Sequence, residues 1–233
     1  MFYKVYNINI MKLINKIVSH SFLSTLIVSF LFVTSLAYFG TSPVIAQVYS
    51  ASDTVVITLN VVAGISISSP SDVTMSQSLG VSANTAVAST TWTVITNNVT
   101  GYNLTVKATS SPAMANATSS VSDYQTSSPN TWSVSNGTSK FGFSAYGTDV
   151  NTSDWGSAGA GLCQSTSTAH VPSASLKYLG FTTSTSSPVV ATRASVTPTS
   201  GNATTLCYAV EQNGIFIDSG VYTATVIATA VTI

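Results

Sequence analysis

The segment Tyr102-Asn103-Leu104-Thr105-Val106-Lys107-Ala108 alternates apolar and polar side chains without a break. Only a β-strand turns successive side chains to opposite faces, so this period of two specifies a strand with one greasy side and one wet side. TWTVIT (Thr91 to Thr96) reads as the strand before it. Asn98-Val99-Thr100-Gly101 reads as the turn that would join the two in a hairpin. Asp53 to Ile67 is rich in Val, Ile and Thr and is expected to form one long strand kinked at Gly64, or two strands. Phe141 to Tyr146, Leu176 to Thr182, Leu206 to Gln212 and Ile215 to Ile217 are further expected strands. In the closing run Val221 to Ile233, the residues Tyr222, Ala224, Val226, Ala228 and Ala230 share one face. The stretches 110–130, 147–175 and 183–204 read as loops of Ser, Thr, Gly, Asn and Pro. β-branched residues are abundant and no long segment has the helical period of 3.6. The expected fold is therefore all-β: an antiparallel, immunoglobulin-like β-sandwich of about seven to ten strands. Its core face should draw on Ile57, Leu59, Val61, Trp92, Val94, Leu104, Val106, Phe143, Tyr208 and Val226.

Charge then narrows the function. Charged residues are 6% of the 233, against about 25% in an ordinary globular domain. That excludes a nucleic-acid binder, which needs a stripe of Lys and Arg to displace counterions. Serine and threonine contribute 39 and 34 residues, yet 45% of the chain is hydrophobic, so a packed core is affordable and disorder is not expected.

Residues 1–46 differ from the rest. Lys4, Lys12 and Lys16 precede an apolar run from Phe22 to Phe39, followed by Gly40, Pro43 and Val44-Ile45-Ala46. This order is that of a secretory signal peptide cut after Ala46, with Met11 as a second candidate start. An uncleaved membrane anchor is the alternative, since the run nears the ~20 residues of a span. The expected mature domain, 47–233, carries four basic and seven acidic residues, a net charge of −3. Secretion, with association at the cell surface, is the expected localisation. Cys163 and Cys207 are the two cysteines. In an oxidising compartment they are expected to pair, for about 4 kcal/mol on the chain-entropy model; two buried free thiols are the alternative.

Groups for acid–base chemistry are scarce. Beyond the leader, His170 is the one histidine and Glu211 the one glutamate. No G-x-S-x-G elbow frames a nucleophile, so an enzyme is not expected and no cofactor is implied. Asp149, Asn151 and Asp154 place oxygen ligands on alternate or nearby loop positions and form a weak calcium candidate; the bland reading is an Asx-turn. Tyr124, Trp132, Tyr146 and Trp155 are candidate loop aromatics for stacking on sugar rings, against a role as core or loop anchors.

The runs DTVVITLNVVAGISISSPSDVTMS, TTWTVITNNVTGYNLTVKATSSPAM, KFGFSAYG, LKYLGF, LCYAVEQN and SGVYTATVIATAVTI resemble a family of secreted β-sandwich surface proteins from small-genome bacteria of the candidate-phyla radiation. The W-x-V strands and the terminal Y-T-A-T-V strand are more distantly similar to WxL-type cell-wall-binding domains and to pilin-like sandwiches. Val94 and Val134 stand where WxL domains carry leucine, and the cysteines do not sit where usher-assembled pilins place theirs. The resemblance implies a fold and a location but no activity. The expected function is a structural or adhesive surface protein, with a filament or surface-layer subunit as its specific form, whose partners are cell-surface components, identical subunits or glycans. In one form of it, residues 47–60 make an arm that pairs with an open sheet edge on the next subunit; in the plainer form, that strand pairs within its own sandwich. The alternative function is a secreted carbohydrate-binding module.

Overall fold

The computed structural model describes residues 49–125, 127–157, 163–165, 168–183 and 187–233, with Ser24, Thr25 and Ser29. The expected signal segment 1–46 otherwise lies outside the described residues. The chain divides into two units, Met1–Leu59 and Asn60–Ile233.

In the first unit, residues 49–59 carry no helix, strand or turn, and their side chains are exposed. In the second unit the strands are β1 (Ile65–Ile67), β2 (Thr85–Thr96), β3 (Tyr102–Ala108), β4 (Met114–Ala115), β5 (Ser120–Asp123), β6 (Asn130–Thr131), β7 (Thr138–Gly147), β8 (Lys177–Tyr178), β9 (Val189–Arg193), β10 (Asn202–Asn213) and β11 (Val226–Thr232). A single turn of helix, α1 (Thr152–Trp155), starts at Asn151, whose side chain accepts a bond from the Ser153 N–H. Three sheets result: six strands in the order β1-β2-β10-β7-β5-β4, three in the order β11-β3-β9, and the small pair β6-β8. Pairing is antiparallel except between β5 and β7. The all-β class is as the sequence leads one to expect.

The alternation decides where the core sits. Trp92 and Val94 of β2, Leu206, Tyr208 and Val210 of β10, and Phe141, Phe143 and Ala145 of β7 turn to one face of the large sheet. There they meet Tyr102, Leu104, Val106 and Ala108 of β3 and Val190 and Ala191 of β9. Phe181 stacks among these rings, 4.5 Å from Phe143 and 5.3 Å from Phe141. The opposite face of the large sheet is covered too. Val87, Cys207 and Ala209 on that side pack with Tyr124, Leu176, Tyr178 and Trp132 from the connecting segments. β7 and β10 are buried on both faces for this reason, which is why FGFSA and LCYAV read as nearly continuous apolar runs.

Several expectations need correction. The hairpin between TWTVIT and YNLTVKA does not form: β2 pairs with β1 and β10, β3 with β11 and β9. The chain instead crosses from one sheet to the other at Asn98–Gly101. Gly101 has φ +82°, and a Cβ there would run into the Arg193 carbonyl, so the crossing depends on glycine. Ile57, Leu59 and Val61 are not core; they are 90%, 83% and 70% exposed. Of the expected strand 53–67 only Ile65–Ile67 forms, bonded to the end of β2. Ile215 to Ile217 is not a strand, and the stretches read as loops contain β4, β5, β6, β9 and α1. The closing strand begins at Val226 and keeps its predicted inward face, packed against the core but only half-buried.

Candidate functional site

Cys163 and Cys207 form a disulfide with 5.1 Å between their Cα atoms. Cys207 is fully buried in the middle of β10, so the bond pins the segment around Cys163 onto the outer face of the large sheet. Ser173 N–H to Cys163 O at 3.1 Å and Tyr178 Oη to Cys163 O at 3.2 Å hold the same point. Beside it, two of the candidate sugar-stacking aromatics pack on each other. Tyr124 stacks on Trp132 at 4.6 Å, and Trp132 meets Tyr178 edge-on at 5.2 Å. Trp132 Nε1–H donates to Glu211 Oε2 at 2.6 Å, and the Tyr124 hydroxyl donates to the Thr131 carbonyl at 2.8 Å. Gly142 makes room for this stack: a Cβ there would lie 2.9 Å from Tyr124 Cβ and 3.2 Å from the Trp132 ring. Trp155 is buried against Phe143 at 5.3 Å. Tyr124 and Trp155 therefore offer no free ring face, a correction to the sugar-stacking set; Trp132 and Tyr146 are half-buried.

The calcium candidate resolves into a polar lock. Asp149 Oδ1 receives Arg193 Nη1 at 3.2 Å. Its Oδ2 accepts from the Tyr102 hydroxyl at 2.8 Å and from Asn202 Nδ2 at 2.6 Å. The carboxylate is buried and its three partners come from β3, β9 and β10, so one side chain ties both main sheets at one end of the sandwich. Burial, then the bond to Asp149 and its charge, push the Tyr102 hydroxyl well above its ordinary range, against the opposing pull of Arg193. Asn151 Nδ2 donates to Asp154 Oδ2 at 2.7 Å, which spends that carboxylate within the Asx turn. The three residues line a shallow depression of about 380 Å³ with Val189 to Thr192, but their oxygens bond to the protein rather than converge. Among the described residues, no three His, Cys, Asp or Glu side chains gather as metal ligands. His170 is half-buried, and its buried Nδ1 has no hydrogen-bond partner among the described residues.

What the second unit leaves uncovered lies along its open side. β1 and β11 are the edge strands of the two main sheets and face each other across the sandwich. The inward side chains of β3 are fully buried, whereas Val226, Ala228 and Ala230 of β11, with Ile65 and Ile67 of β1, are only partly so. In the first unit and at the start of the second, Val55, Val56, Ile57, Leu59, Val61 and Val62 are each at least 70% exposed. No sequence signal separates these from core residues; only their surroundings do. Among the described residues no helix is long and apolar enough to cross a membrane. Comparison with protein families, with characterised proteins and with solved structures found no match.

Proposed function

We propose that this is a non-enzymatic extracellular protein of the cell surface, a structural or adhesive subunit that binds neighbouring surfaces. The observation that carries the reading is the row of uncovered apolar side chains from Val55 to Val62. Contiguous apolar surface of this kind marks a protein-interaction site. The disulfide accords with an oxidising compartment. The near-uncharged, hydroxyl-rich exterior and the leader-like residues 1–46 fit the same reading, as does the resemblance to secreted sandwich proteins.

Expression of the full chain in an exporting bacterium tests it. Intact cells are treated with a membrane-impermeant biotin reagent and with proteinase K. Labelled, protease-accessible protein is expected on the cell or in the medium. Protein protected until the cells are lysed would overturn the reading. Carbohydrate binding, the second reading, is left with Trp132 and Tyr146. A glycan array with no binding, or with binding unchanged in Trp132→Ala, removes it.

A further inference from the structure

We infer that residues Asp53–Ala63 of one copy add as a β-strand to the open edge of β11 in a second copy. The inference rests on the surface reading above and supplies its partner: another molecule of this chain.

Both halves of such a contact are visible. The donor is rich in β-branched residues and keeps one wholly apolar face. Val55, Ile57, Leu59, Val61 and Ala63 would share one face, and Thr54, Val56, Thr58, Asn60 and Val62 the other. It is a strand by sequence with no strand to pair with, and within one chain its Val55, Ile57 and Leu59 stay 81%, 90% and 83% exposed. It is long enough to run beside all seven residues of β11.

The acceptor is an edge with its backbone groups turned outward. The bond from Thr109 N–H to Thr225 O lies in the register of the β3–β11 pair. An antiparallel ladder alternates, so Thr225, Ile227, Thr229 and Val231 bond toward β3. The N–H and C=O groups of Val226, Ala228 and Ala230 then point to the open side, where no described strand pairs. The opposite edge of that sheet is not equivalent: the Thr192 N–H of β9 is already taken by the Asp149 carbonyl at 2.9 Å.

Size matches as well. The inward face of β11 is small, Val226, Ala228 and Ala230, and remains half-covered. β1 offers only three residues opposite it. A row of Val, Ile, Leu and Val is what such a shallow trough lacks. Main-chain bonds would supply affinity and the alternate side chains the register. Because each copy carries one donor and one acceptor, the contact is head-to-tail and propagates into a filament unless it closes into a ring.

The test uses the full chain, recovered after export, and two variants. Ile57→Asp/Leu59→Asp disables the donor. Ala228→Pro disables the acceptor by removing an outward N–H while leaving the ladder to β3 intact. Size-exclusion chromatography with light scattering should show concentration-dependent oligomers for the unaltered chain and monomers for each variant. An equimolar mixture of the two variants should give dimers and nothing longer, since one link remains possible. Circular dichroism checks that Ala228→Pro is folded; if it is not, a synthetic Asp53–Ala63 peptide that dissolves the unaltered oligomers carries the acceptor arm instead. A monomeric unaltered chain would overturn the inference, as would a donor variant that assembles normally. Assembly that survives both Ala228→Pro and the peptide would show arms stacking on arms, and would overturn it too. Monomers labelled at the cell surface would sink strand donation and leave the surface reading standing; oligomers that never leave the cell would do the reverse.

Discussion

Thr54–Ala63 and Tyr102–Ala108 are written in the same code and meet opposite ends. Each has an unbroken apolar face at a spacing of two with Val and Leu on it, although Val56 and Val62 also make the other face of the first segment partly apolar. In β3 the greasy side is sealed: Tyr102, Leu104, Val106 and Ala108 are all within 1% of fully buried. In the other segment the corresponding residues lie open. β3 has a partner on each side, β11 and β9, and a second sheet above it. Residues 49–64 carry no strand. Alternation thus states how a segment will bury itself but not against what. The hydrophobic gain of about 1.5–3 kcal/mol per large side chain is realised in one place and held in reserve in the other.

The comparison breaks first where burial is deepest. Leu104→Asp puts a carboxylate into a fully buried position with no partner. The expected outcome is a chain whose far-ultraviolet circular dichroism lacks the β-sheet minimum. Next is the fastening of the covered face. Replacing both Cys163 and Cys207 by Ala should lower the unfolding free energy by about 4 kcal/mol, read from urea denaturation, and reduction of the unaltered protein should match it.

A smaller effect appears in alkali. Burial pushes the Tyr208 hydroxyl up to about 12, against a hydrogen bond from Thr90 that lowers it. The unfolded chain loses that proton near pH 10. The stabilisation is therefore complete below pH 10 and is lost as pH rises toward 12, at about 1.4 kcal/mol per pH unit for each such tyrosine. Burial pushes Tyr102 and Tyr178 in the same direction. Tyr208→Phe should make the slope of unfolding free energy against pH shallower by one proton over that window. The smallest effect is the counterpart of the first: Ile57→Asp in a monomeric sample should leave the unfolding free energy within about 0.5 kcal/mol, because the side chain already meets water. A large loss there would mean that the segment is part of its own sandwich.

Much of the frame was legible beforehand. The strand cores of β3, β7 and β10 lie within the runs that alternation picked out, and Val94, Leu104, Val106 and Phe143 are buried as expected. The cysteine pair is bonded. What was not legible has a common cause, namely that partners are chosen in space. The turn signal Asn98-Val99-Thr100-Gly101 points to a β2–β3 hairpin, but the two strands enter different sheets around Gly101. Asp149, Asn151 and Asp154 looked like oxygen ligands because spacing records which groups are near. It does not record that Arg193, Tyr102 and Asn202 reach Asp149 first. The same holds for Tyr124 and Trp155, whose loop setting hid the ring stacks and core contacts that bury them.

The sequence by itself determined that this chain builds sheets, that its exterior is hydroxyl rather than charge, and that its two cysteines could lock it. Those follow from local rules: side-chain alternation, β-branching and composition act on each segment wherever it ends up. The tertiary structure alone decided which strands are neighbours, which carboxylate closes the end of the sandwich, and which apolar row is left without a cover. Those depend on closing loops between residues far apart in the chain, where the winning contact is set by the geometry of the whole core and not by any one segment.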